Sequence, residues 1–198
     1  MLSQKSKIPL FPLELVLFPG MMLPLHIFEP RYKIMIKECI SAGQPFGVVL
    51  TKPATPGSDK VANPLFDEIY NIGTTAHITA VEHLDDGRMN LITVGQDRFI
   101  INDIELGENK FFIGQVDPFP MKDDNPNRVE SLMKKLRPMV QRYIDHLAQA
   151  SGEDLSEAKL PTDPTALAYL AGTAMQGPLP DKQKLLSAKS LTSLIANA

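Results

Sequence analysis

At 198 residues the chain has room for one large domain or two small ones, and its 43% hydrophobic and 22% charged residues are ordinary for a folded globular protein. A net charge of −3 and an isoelectric point near 5.8 argue against a nucleic-acid partner, because the densest basic stretch is only Lys134, Lys135 and Arg137. The single cysteine, Cys39, excludes an internal disulfide, and no run of about 18 apolar residues exists to span a bilayer. No membrane partner is expected, and the expected compartment is the reducing cytoplasm.

Met1 to Lys7 is polar and does not read as a signal peptide. Short apolar bursts follow, Ile8 to Leu13, Leu15 to Phe18 and Leu23 to Phe28, each broken by proline. Proline cannot donate to a sheet ladder, so these read as edge strands, strand ends or bends. Glu29-Pro30 then opens a helix, with Pro30 at its first position and Glu29 at the positive end of its dipole. Tyr32, Met35, Ile36, Cys39 and Ile40 form one apolar stripe, and Gly43 supplies the stop.

Phe46 to Thr51 reads as a buried strand, and Lys52 to Asn63 as an exposed loop rich in Pro, Gly and Ser. Gly73 to Leu84 and Met89 to Val94 form a hairpin around Asp85-Asp-Gly-Arg88. Arg98 to Leu106 and Lys110 to Val116 repeat the pattern. Several twisted strands with proline-bent edges predict a small, partly open barrel. Pro118 to Asn127 is linker-like, and beyond it the apolar period becomes helical. A long stripe runs from Val129 to Leu147, with an expected capping box at Asn127 and Glu130 and an expected kink or break at Pro138. Further helices open at Asp163-Pro164, near Asp181 and around Leu191. The expected division is a β-rich part over residues 1–120 and a helical bundle over 121–198, an α+β class.

Motifs for chemistry are scarce. No glycine is followed by lysine, which excludes a phosphate-binding loop, and no Gly-x-Ser-x-Gly elbow occurs. His77 and His83 lie about 20 Å apart if they share one strand, too far for a common metal. Cys39 sits on an apolar stripe and reads as a small buried hydrophobe. The pairs Asp85-Asp86 and Asp123-Asp124 fall in turns, where Asp is common for turn chemistry alone. No metal, cofactor or catalytic residue is expected. Met21-Met22 beside Pro19-Gly20 fits strand-edge packing or an adaptable apolar surface.

Taken in order, Ile8-Pro-Leu-Phe-Pro-Leu13, Val16-Leu-Phe-Pro-Gly20 and Leu23-Pro-Leu-His26-Ile-Phe-Glu-Pro30-Arg31-Tyr32 resemble the opening of the N-terminal substrate-binding domain of Lon proteases. Phe46-Gly-Val-Val49, Ile72-Gly-Thr-Thr-Ala76, Gly95-Gln-Asp-Arg98-Phe99 and Asp163-Pro-Thr-Ala-Leu-Ala168 are similar to its later motifs. The resemblance implies a PUA-like pseudo-barrel of about six strands with one helix, then a helical bundle. It also implies polypeptide binding, of unfolded or degron-bearing substrates or of a protein partner. No ATPase or peptidase motif accompanies it, so a non-enzymatic adaptor or chaperone-like holder is expected. A small-molecule or RNA-binding PUA-like module is the alternative, and an enzyme with an unrecognised site a third reading. Within the matching motifs, Glu29 is expected to pair with Arg98. The expected client groove lies between barrel and bundle, lined by Met21, Met22 and Phe119.

Overall fold

The computed structural model describes residues 5–53, 68–122, 125–151 and 159–197. The expected exposed loop after Lys52 lies mostly outside the described residues, as does the Asp123-Asp124 pair. The chain divides into two compact units, Met1–Pro120 and Met121–Ala198.

The N-terminal unit is a mixed sheet built from β1 (Ser6–Leu13), β2 (Met22–Ile27), β3 (Phe46–Leu50), β4 (Ile72–His83), β5 (Met89–Leu106) and β6 (Phe112–Pro118), with α1 (Pro30–Ala42) between β2 and β3. The strand order is β2-β5-β4-β3-β1-β6, and β5 also pairs with β6. That last pairing closes β5, β4, β3, β1 and β6 into a ring and leaves β2 as an added strand on β5, the expected pseudo-barrel.

Several local expectations change here. Met89–Val94 and Arg98–Leu106 are not separate strands but one strand of 18 residues. The ladder with β4 runs through Gly95, opposite Ala76, so no turn interrupts it. Nor is β1 an edge strand, despite Pro9 and Pro12. Ser6 to Pro9 pairs only with β6, Phe11 to Leu13 only with β3, and Leu10 with both. Each proline therefore sits in a half-strand with a single partner and one unpaired edge, a place where a missing N–H is tolerated. Pro24 lies on β2, which pairs with β5 alone.

Helix α1 buries Tyr32, Met35, Ile36 and Cys39, while Ile40 is exposed and ends the stripe. Gly43 adopts φ 60° and donates its N–H back to the last turn, as a left-handed cap requires. The buried face packs with Phe11, Leu17, Leu23, Ile27, Phe46 and Phe111. A second cluster gathers Ile8, Leu10, Val49, Phe99, Ile101 and Val116. Phe99 is fully buried, and the space for its ring exists because Gly47 and Gly73 lack side chains. A Cβ at either position would lie 2.7 and 2.6 Å from its Cζ, respectively. Two motifs far apart in sequence are thus one packing unit.

The C-terminal unit contains α2 (Pro126–Ser151), α3 (Pro164–Ala174), α4 (Leu179–Leu186) and α5 (Leu191–Asn197). The expected capping box is displaced. Pro126, lacking an N–H, takes the first helical position, so Asn125 caps α2 by accepting the Asn127 N–H at 3.0 Å. Glu130 pairs forward with Lys134 instead. The helix continues unbroken through Pro138. Asp163 caps α3 by accepting the Ala166 N–H at 2.7 Å. Leu136, Val140, Leu167, Tyr169, Leu185, Leu186, Leu194 and Ile195 are buried.

Candidate functional site

Because β4 occupies one edge of β5 from Met89 to Ile100, β2 and β6 share the other. β2 pairs with Met89 to Val94, and β6 pairs with Phe99 to Leu106. Between them the edge of Gly95 to Arg98 is left open to loop residues. One side is closed by the turn after Pro19: Gly20, at φ 82°, donates to Gly95 O (2.8 Å), and Gly95 donates to Met21 O (3.0 Å). On the other side Phe119 donates its N–H to Arg98 O at 2.9 Å. Three residues of strand separate Gly95 from Arg98, so the two contacts stand about 10 Å apart on one edge. Met21 and Phe119 are thereby brought to the same feature of the N-terminal unit itself.

Their exposure separates their roles. Met21 is half-buried and packs against the core under α1. Phe119 is half-buried beneath the Arg98 guanidinium, whose carbon lies 4.9 Å from the ring centroid. Met22 is 62% exposed, and Phe28, two turns of the pleat beyond Pro24, is 61% exposed. Along β2 and its exit, positions 22, 24, 26 and 28 face outward while Leu23 and Ile27 face the core. No strand covers the free edge of β2 among the described residues. Phe28 was not singled out from sequence. The parity was available there: with Leu23 and Ile27 in the core, Phe28 falls on the outer set with Met22.

His26 joins this outer face to the β4–β5 hairpin. Its Nδ1 lies 2.7 Å from Asn90 Oδ1 and its Nε2 3.3 Å from Arg88 Nη1. An arginine can only donate, so His26 accepts at Nε2 and carries its proton on Nδ1. Asn90 donates to Glu82, Arg88 pairs with Asp86, and the imidazole stacks on Phe28 with centroids 6.2 Å apart.

The expected Glu29–Arg98 pair is not formed. Glu29 Oε2 takes Arg31, at 3.0 Å from Nε and 2.9 Å from Nη2, with both side chains well exposed. Two residues along the chain, Arg31 reaches that carboxylate from the first turn of α1 without leaving water. Arg98 is 6% exposed and opposite Thr74 on β4. The Arg31 guanidinium also covers the Tyr32 ring at 4.5 Å. Pro30 starts α1, and Gly95 and Phe99 serve close packing as described above.

Burial pushes the Cys39 thiol up to about 12, which leaves it protonated and unreactive. Burial also holds His77 below the usual imidazole range. Among the described residues no group of three or more His, Cys, Asp or Glu side chains is placed to hold a metal. None of the helices formed by them is long and apolar enough to cross a membrane.

Comparison with known proteins agrees with this architecture. The family model for the substrate-binding domain of ATP-dependent protease La (LON) matches residues 7–197. The Lon protease of Cytophaga hutchinsonii is 26% identical over 186 residues, covering 91% of this chain and 22% of that protease. The Lon protease of Paraburkholderia phytofirmans is 33% identical over 141 residues, 70% of this chain and 16% of that one. The chain thus spans about a fifth of the length of these relatives. Among solved structures, the Lon N-terminal domain protein of Xanthomonas campestris is similar at a TM-score of 0.66 and 20% identity, covering 96% of this chain and 95% of that one. The N-terminal domain of the Mycobacterium avium complex Lon protease is similar at a TM-score of 0.69 and 17% identity, covering 96% and 95%.

Proposed function

This chain belongs to the family of ATP-dependent protease La (LON) substrate-binding domains, and on that premise we propose that its 198 residues bind polypeptide without ATPase or peptidase chemistry of their own. The observation that carries the reading is the outer face of β2. Met22 and Phe28 are the two most exposed large apolar side chains among the described residues, and they flank one edge strand. An unfolded chain offers extended backbone and apolar side chains, which a free strand edge with apolar ends complements. Methionine adapts to varied partners, and Pro24 limits the backbone hydrogen bonds that β2 can offer to its own kind.

The roles first assigned to Met21, Met22 and Phe119 divide accordingly. Met22 and Phe28 contact the client, while Met21 and the Arg98–Phe119 stack hold the open edge of β5 in shape. The test is fluorescence anisotropy of a labelled, permanently unfolded polypeptide against the same protein folded. Saturable binding of the unfolded form alone is expected, weakened at least about tenfold in Met22→Asp, with the thermal midpoint unchanged. Absence of binding to the unfolded form overturns the reading. Equal binding by Met22→Asp removes β2 from it.

A further inference from the structure

The helical unit holds a cavity of about 690 Å³, within the size range of ligand pockets. Its walls are apolar, from Met121, Val129, Met133 and Leu191 and from the prolines that open α2 and α3. Its charged lining is unbalanced. Its one carboxylate among the described residues, Glu130, is held by Lys134 at 2.8 Å. Lys122 and Arg137 also line the cavity, and neither has a carboxylate within ion-pair distance among the described residues.

The fold holds the backbone of Lys122 and the side chain of Arg137. Lys122 is fixed by its backbone, which donates to Lys189 O at 2.9 Å and bridges Ser190 ahead of α5. Arg137 projects from the middle of α2, half-buried, and one of its nitrogens donates to Pro161 O at 2.7 Å. That contact uses one N–H of the guanidinium and leaves its other N–H groups to serve a ligand. A planar guanidinium with spare donors matches a carboxylate, and a lysine beside it adds a second charge.

From this juxtaposition of an apolar cavity with two cations that have no carboxylate partner among the described residues we infer a binding site for the free C-terminus of a polypeptide ending in apolar residues. The inference rests on the polypeptide-binding reading above and names which part of the client this unit takes. An internal stretch of chain brings apolar side chains but no backbone charge. Of a chain's backbone groups, the C-terminal carboxylate is the one that stands at a fixed short spacing from an apolar side chain, and it needs to bury only one end of a chain. The last side chains fill the floor formed by Val129, Met133 and Leu191, and the carboxylate lies between Lys122 and Arg137.

The test measures anisotropy of a short labelled peptide ending in Val-Leu, once as the free acid and once as the C-terminal amide. The acid is expected to bind at least about tenfold more tightly, because charge-assisted hydrogen bonds are the stronger kind. Lys122→Gln and Arg137→Gln each reduce that ratio, and together they bring it close to one. Since Arg137→Gln also gives up the Pro161 contact, Arg137→Lys serves beside it and retains part of the preference. Met22→Asp weakens binding of the unfolded polypeptide but leaves the acid-to-amide ratio unchanged. Equal binding of acid and amide by the unaltered protein overturns the C-terminal site while the β2 reading stands. Binding of dodecanoate with no preference between the peptides overturns it in favour of an acyl carboxylate. If neither peptide nor the unfolded polypeptide binds, the broader reading has failed.

Discussion

Gly95→Ala isolates the point where β2 and β6 part company on β5. Gly95 has an ordinary backbone conformation, so alanine there carries no φ penalty and, by restricting the unfolded chain, gains about 0.4–1 kcal/mol. The difficulty is space. The new Cβ would press into the Phe18 carbonyl oxygen and stand 3.0 Å from Leu17 Cγ. That carbonyl cannot swing aside, because it accepts the Met21 N–H at 3.0 Å within the same turn. Overpacking against rigid atoms costs about 1–3 kcal/mol. Loosening the two Gly20–Gly95–Met21 hydrogen bonds adds about 1 kcal/mol each. The expected net loss is about 3 kcal/mol, or close to 10 °C in thermal midpoint for a chain of this size. Urea unfolding of Gly95→Ala beside Gly87→Ala checks it. Gly87 has φ 76° and only Lys33 Nζ nearby, at 3.9 Å, so alanine there costs only the left-handed penalty of about 1 kcal/mol. A loss for Gly95→Ala no larger than that for Gly87→Ala would refute the close-approach argument.

Lys110 holds φ 60° in the β5–β6 hairpin, where Gly107 and Phe111 close the turn, so Lys110→Gly should leave stability unchanged or raise it by up to about 1 kcal/mol in the same urea assay. Thr74 Oγ1 donates to Leu17 O at 2.6 Å in a fully buried setting, and Thr74→Val should cost about 1–3 kcal/mol by thermal unfolding despite its matching shape. The Cys39 thiol, raised from 9.0 to about 12, should react with a thiol reagent at pH 8 only as fast as the protein opens. The sign for stability follows. The unfolded chain ionises this thiol first, so its contribution is complete below pH 9 and declines as the pH rises from 9 toward 12. A Cys39→Ala variant with an unchanged alkaline decline in midpoint would count against that assignment.

The helices and most strands were legible because their apolar periods are local. Tyr32, Met35, Ile36 and Cys39 share a face for reasons contained within thirteen residues. Pairing partners are not local, and there the sequence was misread. Nothing near Pro9 or Pro12 says that β1 changes partner at Leu10, since that depends on β3 and β6. Arg98 appeared to need a carboxylate, yet it is stacked over Phe119, whose ring arrives from the end of another strand. Of the proposed client face, Met22 stood out by composition, and Phe28 follows from strand parity once Leu23 and Ile27 are taken as buried.

The pairing of Ser6 with Val116 bears on how the chain is made. About 110 residues must leave the ribosome before β1 meets β6, and at about 5–20 residues per second the Ile8 to Leu13 segment waits several seconds without that neighbour. An apolar, β-prone segment held open for so long is a seed for intermolecular cross-β assembly. Pro9 and Pro12, tolerated in the finished barrel where each half of β1 has one partner, lack donors that a stray strand would need. They act as gatekeepers during synthesis, and replacing both with valine should lower soluble yield more than it changes the stability of protein that has already folded.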